Sequence, residues 1–174
     1  MKKEEADETE DDFFFIKEKS QEQMLAQVVS LCIGRLEKYV NYDFFQNIQV
    51  LSPTKKGILG TKELNKVLQE QLNPNIGNLP EKASMGAIYR AGDRVMQIKN
   101  NYDIYWEKEG IGEKEVGSGV FNGEIGTILE VDEKEKQVGI KFDDEKIALY
   151  EFSDLDQIEH SYAITIHKAQ RKRI

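Results

Sequence analysis

Two amphipathic helical patterns alternate with two short apolar runs in the first 72 residues. The runs at residues 13–16 and 48–51 have the length and apolar composition of buried strands. Helical spacing predicts a helix over residues 21–39, capped by Ser20, whose apolar face consists of Met24, Leu25, Val28, Leu31, Cys32 and Leu36.

The second helical pattern covers residues 61–72 and begins with Thr61 as the expected N-cap. Its apolar face consists of Leu64, Val67, Leu68 and Leu72. The order strand, helix, strand, loop, helix favours an α/β fold, in which helices pack across a sheet of parallel strands.

The rest of the chain has shorter patterns that are typical of β-structure. Pro and Gly predict a connecting loop over residues 74–91, and a strand is expected over 94–99. Residues 100–119 form a polar, Gly-containing segment. Three short segments separated by charged turns then predict a small antiparallel β-barrel of SH3-like size, with strands at 124–131, 137–142 and 146–150.

Composition limits the partners that the whole surface can bind. The 174 residues include 32% charged and 39% apolar positions and carry a net charge of −8, which argues against non-specific binding of nucleic acid or membranes but not against a local basic groove. Cys32 is the single cysteine, so no internal disulfide is possible. With no apolar run of about 20 residues and an acidic N-terminus unlike a signal peptide, we expect a cytoplasmic protein without membrane contact.

Polar hydrogen-bonding residues cluster near the end of the chain. Thr165, His167, Lys168 and Gln170 directly follow the apolar Ala163 and Ile164. Such a group can donate hydrogen bonds to phosphates or bases, although the outer face of any amphipathic segment can carry similar residues.

The loop Ser52-Pro-Thr-Lys-Lys-Gly57 follows a predicted buried strand, the position where open α/β sheets bind ligands. Lys55 and Lys56 can meet phosphate oxygens as point charges, or they are ordinary lysines of a solvated turn.

Three further features lie in the β-rich part. Asn122-Gly123 is a tight-turn dipeptide, and Gly126 marks a bulge or a close backbone approach. The aromatic side chains of residues 100–119 can stack on bases or anchor their loop onto the core: Tyr102, Tyr105 and Trp106.

Four of these stretches resemble motifs of one enzyme family and occur in the family's order. Ala163-Ile-Thr-Ile-His-Lys-Ala-Gln170 resembles motif V of superfamily 1 DNA helicases in the form found in RecD-like enzymes. The other three are residues 48–69, around motif IV, residues 92–103, and residues 120–126. The chain is therefore similar to RecD-like helicases, either of the stand-alone kind or the exonuclease V alpha subunit.

The resemblance implies an incomplete second RecA-like motor domain, residues 1–106 and 151–174, that carries an SH3-like β-barrel at 107–150. It implies an ATP-driven enzyme that translocates 5′ to 3′ on single-stranded DNA, with Lys56 and then Lys55 facing the nucleotide. The DNA contacts implied are Thr165, His167, Lys168, Gln170, Asn122 and Asn101. The expected partners are single-stranded DNA, an N-terminal motor domain and, in some relatives, subunits of a nuclease complex.

ATP and Mg²⁺ are expected as cofactors of the parent enzyme but not of this chain alone. No Gly-x-x-x-x-Gly-Lys-Ser/Thr phosphate loop occurs in the sequence, and Gln170 is followed by Arg-Lys-Arg-Ile rather than the family's usual continuation. We therefore expect no ATP hydrolysis by this polypeptide alone.

Two other functions fit the same sequence. A non-catalytic SH3-like module would bind peptides in an aromatic groove formed by Tyr102, Tyr105, Trp106 and Tyr150. Alternatively, helicase ancestry survives only as a scaffold.

Overall fold

The chain folds into a small α/β part and a larger antiparallel β-sheet, and its computed structural model describes residues 13–36 and 47–171. The α/β part contains the helices and the two strands that flank the sheet in sequence: α1 (Gln21–Ser30), β1 (Val50–Ser52), α2 (Thr61–Leu72), β11 (Ala163–Thr165) and α3 (Ile166–Arg171). A π-helical segment, Leu31–Arg35, extends α1, and the predicted helix end at residue 39 lies outside the described residues.

Strands β1 and β11 form a parallel pair, the kind of pairing that the α/β pattern favours, although residues 163–165 were not predicted as a strand. Val50 pairs with Ala163 and Ser52 with Thr165, so the chain leaves both strands at the same edge. Helices α1 and α2 pack on this pair through an apolar cluster around Cys32, Leu68 and Tyr162. Two strands alone do not make a RecA-like domain, so that assignment stays a prediction.

The large sheet has seven antiparallel strands in the order β10-β4-β7-β8-β9-β5-β6. They are β4 (Arg94–Gln97), β5 (Asn101–Glu109), β6 (Lys114–Val120), β7 (Ile125–Asp132), β8 (Gln137–Phe142), β9 (Ile147–Glu151) and β10 (Ile158–His160), with a 3₁₀ helix, Phe152–Gln157, before the last. The prediction of a β-barrel was wrong. The sheet is open, because among the described residues its edge strands β6 and β10 do not pair with each other. The sheet also contains strands on both sides of the predicted limits 107 and 150.

Sequence patterns located β7, β8 and β9 well but missed two hairpins. Residues 81–90 are not a plain loop, because β2 (Glu81–Ser84) and β3 (Ala87–Arg90) pair across a turn at Met85 and Gly86. The polar segment 100–119 is the long β5–β6 hairpin, which carries charged residues on exposed faces and therefore lacks an apolar signature.

Two local predictions in the α/β part were wrong. Residues 13–16 form no strand, and Phe13, Phe14 and Phe15 are each about four-fifths exposed, because no neighbouring strand pairs with them among the described residues. Gly60, rather than Thr61, is the N-cap of α2. A side chain cannot stand at Gly60, because its Cβ would lie 2.5 Å from the carbonyl oxygen of Lys56.

The main core fills the inner face of the seven-stranded sheet, with fully buried residues that include Val95, Val138, Ile140 and Tyr150. A smaller cluster, Met96, Ile125 and Ile164, packs β4 and β7 against β11 and α3. This smaller cluster connects the seven-stranded sheet to β11, the strand that leads into the polar residues 165–170. The sheet and the α/β part therefore pack directly on each other.

Candidate nucleic-acid interface

Three of the predicted binding residues meet at the shared carboxyl edge of β1 and β11. Lys55 belongs to the loop after β1, Thr165 ends β11 and Lys168 lies in α3, and all three line one small polar depression. Its volume is about 10 Å³, which is too small to enclose a phosphate. An anion would therefore bind at the rim rather than inside the depression.

The loop after β1 is held in place by its own polar groups. The Ser52 hydroxyl donates to the Leu59 carbonyl at 2.6 Å, and the Thr54 hydroxyl donates to the Lys56 carbonyl at 3.3 Å. The backbone amides of Thr61 and Lys62, in the first turn of α2, donate to carbonyls of the same loop. These two amides are thus occupied, and the loop offers an anion its lysine side chains rather than the helix N-terminus.

Lys168 is the most constrained of the candidate cations. Its backbone amide donates to the Thr165 hydroxyl at 3.4 Å, and its ammonium lies 3.0 Å from a carboxylate oxygen of Glu159. The Lys168 side chain is 23% exposed, so its charge remains accessible from the depression. The Thr165 hydroxyl accepts this bond and keeps its own hydrogen for donation.

Asn65 of α2 fixes the strand that carries these residues. Its side-chain amide donates to the carbonyls of His160 and Ala163, and its side-chain oxygen accepts the backbone amide of Ala163 at 2.8 Å. Asn65 is nearly fully buried. One side chain therefore satisfies three backbone groups, one at the end of β10 and two at the start of β11, and fixes the position of β11 relative to α2.

A buried carboxylate, Asp93, joins the same strand to the seven-stranded sheet. Its Oδ2 accepts from the Gln69 amide at 2.7 Å and from the Arg90 backbone amide at 2.8 Å, and lies 3.1 Å from His160 Nε2. Its Oδ1 accepts from the side chains of Asn73 and Tyr162, each at 2.9 Å. Asp93 is fully buried, and its donors come from α2 and its C-cap, from the turn before β4, and from both sides of the β10–β11 link.

These donors decide the protonation state of Asp93. Burial alone would raise the pKa of the carboxyl, but the hydrogen bond and charge of His160, together with Asn73 and the Arg90 amide, outweigh it and lower the pKa. Burial and the nearby Asp93 raise the pKa of Tyr162, which stays a protonated donor. The ionised Asp93 thus fastens the link between β10 and β11.

Lys168 also reaches a larger cavity of about 410 Å³, which has Asn122 on its lining. The lining is largely apolar and includes Met96, Ile125 and Phe142, but it also contains Glu124, Asp143 and Asp144. Arg94 forms an ion pair with Asp143, and Lys146 pairs with the other two acids. Asn122 and Lys168 therefore line the same cavity, whose other charged lining residues are acidic.

The remaining predicted residues are more scattered. His167 and Gln170 are exposed on α3, and Lys56 is exposed in the loop after β1. Asn101 lies at the start of β5, where its side-chain amide donates to Gln157 at 2.9 Å. Nothing in the structure tests their contacts with DNA or nucleotide, and they stay predictions.

The aromatic residues divide into two groups. Tyr102 and Tyr105 are largely exposed, and Tyr102 makes an edge-on contact with Phe121 at 5.5 Å between ring centroids. Tyr150 is fully buried and donates its hydroxyl to Gln97 at 2.9 Å. The peptide groove expected for a non-catalytic SH3-like module therefore lacks one of its four predicted members.

Sequence reasoning missed Asp93, His160 and Asn65, which position the candidate site. The sequence signal for Asp93 is the preceding glycine, Gly92. The structure shows that Gly92 has a φ of 88°, in a tight turn. A Cβ at Gly92 would lie 2.9 Å from the side chain of Asn73. No pattern in the sequence marks Asn65 or His160, because their partners are more than 60 residues away.

Within residues 13–36 and 47–171, no group of three or more His, Cys, Asp or Glu side chains could hold a metal ion. The lysines of the loop after β1 can meet phosphate oxygens, but within the described residues no side-chain cluster supplies a ligand set for Mg²⁺. None of the helices described is long and apolar enough to cross a membrane.

Comparison with known proteins agrees with the architecture. Residues 64–142 match the family described as the SH3 domain of ATP-dependent RecD-like DNA helicases. An ATP-dependent RecD2 DNA helicase of Deinococcus radiodurans is 32% identical over 123 residues, which cover 71% of this chain and 14% of the relative. The RecD subunit of the RecBCD enzyme of Buchnera aphidicola is 28% identical over 127 residues, which cover 72% of this chain and 19% of the relative.

An uncharacterised protein of Methanocaldococcus jannaschii is 33% identical over 146 residues, 73% of this chain and 12% of the relative. The chain thus spans less than a fifth of each of these three proteins. The matched segment includes most of the seven-stranded sheet. The resemblance drawn from the sequence is confirmed: the chain is similar to RecD-like DNA helicases over about 70% of its length, and residues 64–142 match the SH3 domain of that family.

Proposed function

We propose that this chain supplies part of the single-stranded DNA track of a RecD-like helicase, and that the rim formed by Lys55, Thr165 and Lys168 holds the DNA backbone. The observation that carries the proposal is their convergence, since Lys55 lies more than 100 positions before Thr165 and Lys168 and meets them at one depression. Two ammonium groups and a hydroxyl donor match the oxygens of a phosphodiester.

Such contacts bind DNA without selecting its sequence. Lysine ammonium groups and a threonine hydroxyl touch phosphate and sugar, which are the same at every nucleotide. The exposed rings of Tyr102 and Tyr105 add surfaces on which bases of any kind can stack. A motor that moves along DNA requires this tolerance, and 5′ to 3′ translocation is the activity we propose for the complete enzyme.

For the whole enzyme, the proposal also includes a nucleotide site and a second motor domain. Lys56 would face the phosphates of ATP from the loop after β1, within a RecA-like motor domain in the cytoplasm, whereas we assign its neighbour Lys55 to the DNA backbone. ATP and Mg²⁺ would require a second motor domain, because the described residues offer cations but no ligand set for the metal. His167, Gln170, Asn122 and Asn101 are proposed as further DNA contacts.

The test is fluorescence anisotropy of a labelled oligothymidine titrated with the chain at several salt concentrations. Lys168→Gln keeps most of the side chain but removes the charge, and we expect roughly 3- to 10-fold weaker binding. The slope of log affinity against log salt should fall by about 0.7, the value for one lost phosphate contact on a single strand. Lys55→Gln should behave in the same way.

Lys134→Gln is the matched control, because it removes the same charge at the exposed β7–β8 turn. Its affinity and salt slope should stay close to those of the wild type. The proposal fails if the folded chain binds no oligonucleotide at low salt, or if all three lysine variants have equal slopes.

A further inference from the structure

A cavity of about 410 Å³ adjoins the proposed phosphate rim. Lys168 and Met96 line both this cavity and the small depression at the rim. The volume of the cavity lies within the range of pockets that take small organic ligands, roughly 300–1,000 Å³. A ligand whose phosphate is held at the rim therefore has a pocket directly beside that phosphate.

Apolar side chains form one part of the cavity lining. Met96 and Ile125 belong to the small core cluster with Ile164, and Phe142 is 2% exposed. Ile98, which is half-buried, adds to the same lining. Apolar and aromatic side chains of this kind pack on the flat face of a nucleobase that has left its stack.

The turn at Asn122 and Gly123 forms another part of the lining, and the neighbouring strands hold it in place. The Asn122 backbone amide donates to the side chain of Asn100 at 2.9 Å. The Gly123 backbone amide donates to the carbonyl of the fully buried Gln97 at 2.8 Å. This wall of the cavity is thus fixed before a ligand binds.

Three carboxylates supply the cavity with hydrogen-bond acceptors, and each has a cationic partner. Arg94 donates to both oxygens of Asp143, at 2.7 and 2.9 Å. Lys146 lies 2.6 Å from Glu124. Asp144 is held more loosely, because its contacts with Lys146 measure 3.4 and 3.5 Å and its side chain is 57% exposed. Asp144 is thus the carboxylate best able to accept a hydrogen bond from a ligand.

We propose that this cavity is a base pocket of the DNA track, and that it takes a nucleobase with an exocyclic amino group, such as cytosine, in preference to thymine. The inference rests on the proposed function and deepens it, since it places a base contact beside the phosphate contact at Lys168. A carboxylate only accepts hydrogen bonds, and the amino group of cytosine donates one. Thymine presents a carbonyl oxygen at the same position of its ring.

Such a preference is compatible with movement along any sequence. The phosphate contacts at the rim are the same for every nucleotide and supply the main part of the affinity. The apolar lining packs on the ring of either pyrimidine. One hydrogen bond to Asp144 then adds only a few-fold, so that strands of every sequence still bind.

The first measurement compares the affinities of the chain for labelled oligodeoxycytidine and oligothymidine of equal length, by fluorescence anisotropy at a mildly alkaline pH, where cytosine is neutral. Wild type should bind the cytosine strand roughly 3- to 10-fold more tightly, the net effect of one hydrogen bond. Asp144→Asn keeps an acceptor for the Lys146 backbone amide but replaces the other carboxylate oxygen by a donor. The ratio of the two affinities should therefore fall by about 3-fold.

Glu133→Gln is the control, because it gives the same change in net charge at an exposed position beyond the opposite end of β8. It should keep the ratio of the wild type. Equal ratios in wild type and Asp144→Asn overturn the base pocket, and they leave the DNA track standing if Lys168→Gln still weakens binding to both strands. Absence of binding to either oligonucleotide at low salt rejects both proposals.

A probe without phosphate tests the pocket separately from the rim. Deoxycytidine added to the isotope-labelled chain should shift the backbone amide signals of Gly123, Glu124 and Asp144, with a dissociation constant on the order of 1 mM for a ligand of this size. Thymidine should shift these signals less at the same concentration. Unchanged signals at the three positions, or equal shifts with both nucleosides, would overturn the base pocket whatever the oligonucleotides show at the rim.

Discussion

The ammonium of Lys168 lies 3.0 Å from a carboxylate oxygen of Glu159, so the cation best placed to meet DNA already has an anionic partner. The Lys168 side chain is 23% exposed and that of Glu159 is 46% exposed. An ion pair with this exposure contributes little to stability, on the order of 0–1 kcal/mol. It does hold the lysine in one geometry and compete with a phosphate for the same charge.

Substitution of Glu159 should therefore strengthen DNA binding. We expect Glu159→Gln to bind oligothymidine about 2- to 4-fold more tightly at low salt, because Lys168 no longer divides its charge between carboxylate and phosphate. Fluorescence anisotropy measures the affinity. Glu133→Gln is the control, because it gives the same change in net charge just beyond the end of β7 and should change the affinity less. Equal gains in affinity in both variants would show only a general effect of net charge.

The fully buried Asp93 should be the most sensitive polar position for stability. Asp93→Asn replaces an acceptor oxygen by an amide that faces hydrogen-bond donors, among them Tyr162 and Asn73. We expect a loss of about 3 kcal/mol in the free energy of unfolding, as for other broken buried pairs. Urea denaturation followed by circular dichroism measures it, with the exposed Asp103→Asn as a control that should change it by less than about 0.5 kcal/mol.

The same carboxylate predicts how stability depends on acid. The pKa of Asp93 is lower in the folded state than in a free aspartate. Its stabilising contribution is therefore complete above about pH 4 and is lost as pH falls through the lower folded pKa. The difference in unfolding free energy between wild type and Asp93→Asn should shrink as urea titrations move from about pH 6 toward pH 2.5. A difference that stays constant would mean that the pKa of Asp93 is the same in the folded and unfolded states, and one that grows toward acid would mean that it is raised in the folded protein.

Sequence patterns located the elements whose side chains alternate or repeat clearly. Strand β8 has the predicted bounds and β1 overlaps the apolar run at residues 48–51, whereas β11 was not predicted as a strand. Hairpin β5–β6 was missed because both faces of its outer half are polar, so that residues such as Glu107 and Lys114 pair with each other instead of packing in the core. Ile104, Trp106 and Val120 pack the inner half of this hairpin on the main core, and backbone hydrogen bonds, which leave no sequence pattern, hold the outer half.

The candidate site was predictable in its parts but not in its assembly. Thr165 and Lys168 could be identified from one short stretch, and Lys55 from another. Their meeting depends on the parallel register of β1 and β11, which Asn65 and Asp93 fix through contacts between distant segments. Single residues that satisfy backbone groups across such distances leave no periodic signal, and so they became visible only in three dimensions.

The prediction that Gly126 marks a close backbone approach can be tested directly. Gly126 of β7 stands where a Cβ would lie 2.6 Å from the Lys141 carbonyl oxygen and 2.9 Å from the Ile140 side chain. We expect Gly126→Ala to lower the free energy of unfolding by about 2–4 kcal/mol, because the backbone of β8 must move. Gly139→Ala is the matched control on β8, where a Cβ would meet its nearest neighbour at 3.6 Å, and it should cost less than about 1 kcal/mol.

The alkylation rate of Cys32, the single cysteine, should report on the packing of the α/β part independently of the sheet. Cys32 is buried in the cluster formed with Leu64, Leu68, Tyr162 and Ala163, and burial raises the pKa of its thiol to about 11. Because the thiolate is the reactive form, iodoacetamide at pH 8 should alkylate Cys32 at least about 100-fold more slowly in the native protein than in urea.

An exposed thiol in the same protein provides the reference rate. Ser118→Cys in a Cys32→Ala background places a thiol on the exposed face of β6, and it should react at nearly the same rate with and without urea. Rapid native labelling of Cys32 would show that α1 separates readily from α2. Protection lost in Asp93→Asn but kept in Asp103→Asn would show that the Asp93 cluster stabilises the α/β part as well as the sheet.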